Sequence, residues 1–219
     1  TYKEIDFESH IEENLVNTGY LSFKTDKYNK ELCLNIYEVE EFIKKTQPKE
    51  WEKLEKRYGS DASEQISYRL SKELQKKGAL KILRQGFKDR DASIKMAYFK
   101  PVSKMNPEHQ KLYDSNRFSI IRQLKYSKND EKSLDMVIFL NGIPIITLEL
   151  KNSITGQTVE NAKNQYKYDR NPKEPLFQFK RCLVHFAVGN ESIFMTTKLS
   201  GADTYFLPFN KGIENPVNP

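Results

Sequence analysis

The chain has 219 residues, of which 37% are hydrophobic and 30% are charged, and its formal net charge at pH 7 is +6. This length suits one domain, whose core can draw on 13 Phe, 12 Tyr and one Trp. The modest positive excess permits a polyanionic partner but does not establish one. No apolar run approaches the roughly 20 residues of a membrane span, and no secretory signal is visible. We therefore expect a soluble, cytoplasmic protein without membrane contact.

Cys33 and Cys182 are too few and too far apart for a zinc site or a disulfide framework. We expect two buried free thiols in a reducing cytoplasm. The sequence also lacks the Gly-x4-Gly-Lys-Ser/Thr phosphate loop, which excludes a P-loop ATPase within these residues.

Helical patterns dominate the first half of the chain. Phe7, Ile11 and Leu15 recur every four residues and predict a first helix over 4–17. Two strands, over 80–84 and 94–99, are expected on either side of a loop that contains GFKDRDAS. Similar patterns predict further helices over 37–45, 50–58, 62–77 and 107–114.

A first core strand is predicted over 117–126, where apolar residues recur along the segment. Arg122 and Gln123 lie in its middle, where unpaired polar groups are costly. Two interpretations remain open. Either one of these side chains reaches a functional face or DNA, or they make structural hydrogen bonds.

The stretch over 133–152, SLDMVIFLNGIPIITLELKN, predicts two buried strands because both halves are rich in Val, Ile, Leu and Phe. The Asn-Gly pair at 141–142 is a strong turn signal. A strict two-residue turn would put Asp135 and Glu149 on opposite faces. A three-residue loop with a bulge at Gly142 would bring them onto one face, and we predict this bulged form.

Asp135, Glu149 and Lys151 are charged residues in these apolar strands, and buried charges are normally paired or bound to a metal. Glu149 and Lys151 share a strand face, while Leu148 and Leu150 point into the core. A hard divalent cation such as Mg²⁺ relieves the repulsion between two carboxylates and binds phosphate oxygens. The trio therefore predicts a phosphodiester hydrolysis site. The alternative is a cross-strand salt-bridge cluster.

A helix over 158–168 and strands over 182–188 and 192–199 are expected after this hairpin. Strand, helix and strand make a parallel crossover, so the helix should begin near the strand end that carries the charged residues. His185 is expected to be a hydrogen-bonded sheet histidine rather than a general base. Residues 200–219 are polar and Pro-rich and predict a loop or linker.

Several segments carry a family resemblance: NGIPIITLELKN, TGQTVENAKNQYKYDRNP and LFQFKRCLVHFAVGNESIFMTTKLSG. With the upstream TQPKEWEKL and AYFKPVSKMNPEHQKLYDSNRFSIIRQLKYS and the late FLPFNKG, they resemble the N-terminal region of type I restriction enzyme R subunits. The resemblance implies an α/β fold of the restriction-endonuclease-like PD-(D/E)xK class, a mixed β-sheet flanked by helices. It further implies a nuclease domain over 1–199 with a core over about 116–199, preceded by additional helical and hairpin elements.

The same resemblance implies Mg²⁺-dependent cleavage of double-stranded DNA. It puts Asp135, Glu149 and Lys151 in the catalytic positions and makes the Leu150 carbonyl a further metal ligand. The first helix of this fold often supplies an extra acidic residue. Glu8 is the candidate here, and an ordinary solvated glutamate is the alternative.

The family also carries a Gln-hydrophobic-x-x-Tyr motif that assists the site and contacts DNA. Gln165 matches its first position. Tyr168 falls one residue early, and Asp169 holds the place expected for the tyrosine. Tyr168 is therefore either a DNA-contacting residue or a residue of simple helix packing.

Partners follow from the resemblance as well. Modification and specificity subunits are implied, and ATP acts only through translocase domains that this chain does not contain, toward which 200–219 would lead. The alternative function is a non-catalytic nucleic-acid-binding or subunit-docking module on the same fold.

Overall fold

The computed structural model describes residues 4–102, 106–152 and 156–209. Its α-helices are α1 (Glu4–Asn17), α2 (Ile36–Thr46), α3 (Pro48–Tyr58), α4 (Ala62–Lys77), α5 (Ala79–Gln85), α6 (Pro107–Asp114) and α7 (Val159–Asn164). No helix in these ranges is long and apolar enough to cross a membrane.

The strands are β1 (Leu21–Phe23), β2 (Phe87–Asp89), β3 (Ala92–Ile94), β4 (Phe118–Lys125), β5 (Ser133–Leu140), β6 (Ile143–Leu150), β7 (Val184–Val188), β8 (Ile193–Thr196) and β9 (Leu207–Pro208). Seven of them form one sheet in the order β1-β4-β5-β6-β7-β8-β9, and β2 pairs with β3 separately. The large sheet is mixed, because β1–β4 and β6–β7 are parallel pairs and the other neighbours are antiparallel. The expected mixed α/β sheet flanked by helices is therefore confirmed.

Both faces of this sheet are buried. Met136 and Ile138 of β5 belong to a core shared with α2, α3, α4 and α5. Val137 and Phe139 belong to a second core, which includes Tyr166 after α7. Alternate residues of a strand point to opposite faces, so a strand covered on both sides reads as one continuous apolar run. Charged residues in such a run are forced out of water.

The patterns predicted most helices and strands correctly. Helices α1, α4 and α6 begin and end at the predicted residues, and strands β4 to β8 lie within the predicted segments. Cys33 and Cys182 are free and buried, as expected. Burial raises the pKa of the Cys182 thiol to about 12, which keeps it protonated and unreactive.

The strand predicted over 80–84 is wrong, because this segment belongs to helix α5. The buried residues of α5 are Ala79, Ile82 and Leu83, whose spacing is that of one helix face. Gly78, at φ +85°, separates α5 from α4. The short apolar run fits both structures, and packing beside α4 selects the helix.

The strand predicted over 94–99 is also wrong beyond its first residue. The hairpin consists of β2 and β3 and occupies the segment that was expected to be a loop. Arg90 adopts a left-handed conformation at φ +52°, which lets the chain reverse within two residues. A Cβ at Gly86 would lie 2.1 Å from the Ile94 carbonyl oxygen, so the close approach of the two chain segments requires glycine.

The turn between β5 and β6 differs from the predicted three-residue loop. Leu140 pairs directly with Ile143, leaving a two-residue turn whose residues have φ values of +51° and +82°. The bulge lies instead inside β6. Ile138 of β5 pairs with Ile146 and Phe139 pairs with Pro144, so β6 has one extra residue between these pairs. Pro144 has no N–H to give to the ladder, which favours an irregularity there. This bulge still puts Asp135 and Glu149 on the same face of the sheet, as the predicted three-residue loop would have done.

Asn141 explains why the turn is tight. Its side chain is buried and accepts a hydrogen bond from the Arg117 amide at 2.7 Å. It donates to the Met96 carbonyl at 2.9 Å and to the Asn116 side chain at 3.0 Å. A longer loop would break these bonds and leave polar groups unpaired.

The predicted helix over 158–168 begins as expected but changes its winding. After α7 the chain continues as a π-helical turn over Gln165–Asp169. π-Helical turns are rare and often occur at functional sites. Within the segment predicted as a loop from residue 200, β9 pairs with β8 at the edge of the sheet, and the remaining residues 210–219 lie outside the described residues.

Candidate functional site

The register of the hairpin brings Asp135 and Glu149 together. Met136 pairs with Leu148, and the next positions along the ladder are Asp135 and Glu149. Oδ2 of Asp135 accepts a hydrogen bond from the Leu150 amide at 2.7 Å. Both carboxyl groups are buried, that of Glu149 completely. Two acids therefore share one face of the sheet at the carboxyl end of β6.

The carboxyl group of Glu149 is strongly perturbed. Burial, and next the adjacent charge of Asp135, raise its pKa to about 8, while Arg170 opposes this rise. Oε1 of Glu149 is bound by Arg170, whereas Oε2 is buried and receives no hydrogen bond from the residues that the structure describes. An unpartnered buried carboxylate oxygen is unfavourable in itself, so a cation at Oε2 would be stabilising.

Arg170 is a site residue that the sequence reasoning missed. Its Nε donates to Oε1 of Glu149 at 2.6 Å, and its Nη2 donates to the Ser133 carbonyl at 2.8 Å. The guanidinium also lies 5.6 Å from the ring centroid of Tyr126. Burial lowers the pKa of Arg170, but the neighbouring Glu149 carboxylate outweighs it and the net shift is upward, so the group is cationic. A polar segment, Tyr-Asp-Arg-Asn-Pro, gave no signal that its arginine would be buried.

Glu8, the acidic candidate on α1, lies in the same neighbourhood and is buried rather than solvated. The Gln123 side-chain amide donates to Glu8 at 2.8 Å and approaches Oδ1 of Asp135 at 3.4 Å, so one amide links the two carboxylates. Burial, and then the charge of Asp135, raise the pKa of Glu8. Arg122 forms an ion pair with Glu8 at 3.3 Å and with Glu12 at 2.8 Å.

Both open interpretations of the mid-strand polar residues thus apply in part. Gln123 reaches the carboxylate face, and Arg122 holds α1 through Glu12. Gln123 also accepts a hydrogen bond from Ser133 at 2.8 Å and has a φ of +47°, a left-handed conformation that non-glycine residues seldom adopt. Its strained backbone turns the amide toward Asp135.

Lys151, Gln165 and Tyr168 line one cleft, and neither Asp135 nor Glu149 is among its lining residues. The cleft has a volume of about 450 Å³, and its wall also includes polar residues of α7 and the π-helical turn. Lys151 is buried, whereas the side chain of Tyr168 is 69% exposed. The side-chain oxygen of Gln165 is buried without a hydrogen-bond partner within the described part of the chain, so it can accept a bond from a ligand. Tyr168 is therefore a cleft-wall residue rather than a packed one.

A hydrogen-bonded support lies beneath the acids. Oγ1 of Thr147 is 2.8 Å from the Tyr166 hydroxyl and 2.7 Å from Nδ1 of His185. His185 is buried, and burial lowers its pKa to about 4, so it is neutral and bonded within the sheet, as predicted. These bonds connect the π-helical turn to β6 and β7.

A divalent metal fits the residues at this site. The carboxylates that this site could offer are those of Asp135 and Glu149, and the described ranges hold no cluster of three or more His, Cys, Asp or Glu side chains suited to a metal. Mg²⁺ typically takes one or two carboxylates and keeps several waters, which agrees with a pair of acids. The unpartnered Oε2 of Glu149 and its raised pKa indicate a position that needs positive charge.

Comparison with known proteins decides the family. The sequence model described as type I restriction enzyme R protein N terminus matches residues 1–204. The chain belongs to this family. It is also 35% identical over 88 residues to a putative type I restriction enzyme MjaVIIIP endonuclease subunit from Methanocaldococcus jannaschii. That match covers 38% of the chain but only 8% of the relative, so it spans a small fraction of the relative's length.

Within the R protein family, the matched region contains the whole site. Residues 1–204 include every strand of the sheet except β9, the hairpin of β5 and β6, and the segment through Arg170. Glu8, Asp135, Glu149, Lys151 and Gln165 all lie within the matched residues.

Proposed function

We propose that this chain is the metal-dependent nuclease domain of a type I restriction enzyme R protein and hydrolyses phosphodiester bonds of double-stranded DNA. The observation that carries the proposal is the pair of buried carboxyl groups, Asp135 and Glu149, on neighbouring strands at the end of β6, with Lys151 two residues further on at the wall of a polar cleft. Two acids buried side by side are typical of a site for a hard cation. We also propose the PD-(D/E)xK class for the sheet that carries them.

In this proposal Asp135, Glu149 and the Leu150 carbonyl hold Mg²⁺. The metal supplies Lewis acidity, which favours ionisation of a water and offsets charge on the scissile phosphate. Asp135 is fixed for this role because the Leu150 amide binds its Oδ2, leaving Oδ1 toward Gln123. Arg170 holds Glu149 by a hydrogen bond to Oε1, which leaves Oε2 to bind the metal.

Lys151 follows Glu149 by two residues and borders the cleft, so its amine orients the attacking water or stabilises charge on the phosphate. Hydrolysis forms a P–O bond to the water oxygen and breaks the P–O bond to the sugar. Gln165 accepts a hydrogen bond from the bound strand, and the exposed ring of Tyr168 contacts the DNA at the cleft wall. Glu8 adds a third acidic group next to Asp135 and supports the site through Gln123.

The wider assembly belongs to the same proposal. The domain works in the cytoplasm with modification and specificity subunits, which supply DNA recognition, and with translocase domains that use ATP. The relative from Methanocaldococcus jannaschii is named an endonuclease subunit, which supports this assignment.

The test is plasmid cleavage by the complete R protein assembled with its partner subunits and ATP. Asp135→Asn, Glu149→Gln and Lys151→Ala should each abolish cleavage while leaving the domain folded and ATP hydrolysis intact. Glu52→Gln is the matched control, because Glu52 is an exposed acid on α3 that pairs with the exposed Lys56. Cleavage at the wild-type rate in all three site variants would refute the nuclease role and favour a docking module.

A further inference from the structure

Arg170 occupies a position that the proposed reaction does not require of an arginine. It follows the π-helical turn, and its backbone amide closes that turn by donating to the Gln165 carbonyl at 3.1 Å. The uncommon winding brings residue 170, rather than a residue on the exposed side of the helix, under the end of β6. A rare backbone conformation that delivers one charged side chain to a buried acid indicates a specific role.

The guanidinium is held on several sides. Besides Glu149, it binds the Ser133 carbonyl at 2.8 Å and lies 3.5 Å from the Tyr126 hydroxyl, and the residue is only 6% exposed. These contacts come from β5, from the end of β4 and from β6. The positive charge therefore has one defined location, and it cannot swing into the solvent without breaking bonds in the core.

Arg170 divides the carboxylate of Glu149 into two unequal oxygens. Oε1 is occupied by Nε at 2.6 Å, and Oε2 is the atom that receives no hydrogen bond from the described residues. The fixed charge offsets the repulsion between Glu149 and Asp135 before any metal arrives. The same charge repels a divalent cation that binds at Oε2, because like charges a few ångströms apart interact strongly in a buried site.

We propose that Arg170 is a positioning residue that serves as an internal counter-cation for Glu149 and thereby weakens the affinity of the site for divalent metal. This inference rests on the proposed metal site formed by Asp135 and Glu149. It accounts for how Asp135 and Glu149 can both be buried side by side. Arg170 would then control the metal affinity of the site although it is not one of the three proposed catalytic residues.

The test is Mn²⁺ binding to the complete R protein without nucleotide, measured from the electron paramagnetic resonance signal of free Mn²⁺. Glu149→Gln identifies which binding belongs to this site. Affinities are compared at a pH where the Mn²⁺ affinity of each protein no longer rises with pH, so that a proton on Glu149 does not compete with the metal. There, the site that Glu149→Gln abolishes should bind Mn²⁺ about tenfold more tightly in Arg170→Met than in the wild type. Arg170→Lys keeps the charge and should stay close to the wild-type affinity.

If circular dichroism shows that Arg170→Met is unfolded, Arg170→Gln replaces it. Its neutral amide can still donate to Oε1, and the same tightening is expected. Suppose that the wild type shows a Mn²⁺ site that depends on Glu149, while the folded neutral variant binds Mn²⁺ there no more tightly. That result would overturn the role of Arg170 but not the proposed metal site. No Glu149-dependent site in either protein would overturn the proposed metal site and this inference with it.

Discussion

Replacing Gly142 by alanine should disrupt the turn that sets the register of the two site strands. Gly142 has a φ of +82° and lies against the start of α2. An added Cβ would come within 2.5 Å of the Asn35 carbonyl oxygen, 2.6 Å of Val39 Cγ2 and 2.8 Å of the Val39 amide nitrogen. Two of these three atoms are backbone, so the clash cannot be relieved by a side-chain rotation.

The expected loss has two parts. The left-handed conformation of a non-glycine residue costs about 1–2 kcal/mol, and overpacking of a rigid region costs about 1–3 kcal/mol more. We therefore expect Gly142→Ala to lower the free energy of unfolding by about 2–5 kcal/mol. Gly156→Ala is the matched control, because Gly156 has a similar φ of +76° but no atom of the described part of the chain lies within 4 Å of its added Cβ. That variant should lose only the backbone part.

The assay is urea unfolding followed by the fluorescence of Trp51, the single tryptophan, which is buried on α3 in the helical layer that α2 shares. Gly142→Ala should also reduce DNA cleavage, because the same turn sets the register of Asp135 and Glu149. Equal stability losses in the two variants would refute the reasoning, since the close approach of α2 to the turn would then carry no energetic weight.

Three further predictions concern the support of the site. Between pH 6.5 and about 4 the unfolded chain binds more protons at His185 than the folded chain, so stability should be complete above pH 6.5 and fall by about 3 kcal/mol as the pH drops toward 4. Urea titrations should show a shallower dependence for His185→Gln, and parallel curves would contradict this. Gln123→Ala should lower both cleavage and stability, the latter by about 1–3 kcal/mol, because hydrogen bonds to carboxylates are lost; unchanged values in both assays would show that the amide link is dispensable. Asn141→Ala should lose at least as much stability in the same titration, because three buried hydrogen bonds disappear, and a loss below about 0.5 kcal/mol, the usual range of a surface change, would contradict the buried turn.

The sequence predicted the elements whose apolar spacing has one interpretation. Helix α4 repeats its apolar residues over four turns, and β5 and β6 are too apolar and too β-branched for any exposed structure. The segment at 79–85 failed because a short apolar run fits a helix and a strand equally well, and its packing beside α4 decided the outcome.

The positions of the two acids could be predicted because charged residues are conspicuous in buried strands. We predicted that Asp135 and Glu149 share one face of the sheet, which they do, but the bulge responsible lies inside β6 rather than at Gly142. The actual register depends on Pro144 and on the buried contacts of Asn141, which come from segments distant in sequence. The burial of Arg170 could not be predicted, because the π-helical turn that positions it has no known periodic pattern in the sequence.

We expect Asp135 and Glu149 together to bind a divalent cation for DNA hydrolysis. This binding is tested by anomalous diffraction from crystals soaked in Mn²⁺, compared between the wild type and Glu149→Gln. An anomalous peak between the two carboxyl groups is expected in the wild type and should be lost in the variant. Manganese that binds only elsewhere, or a peak that persists in Glu149→Gln, would contradict it.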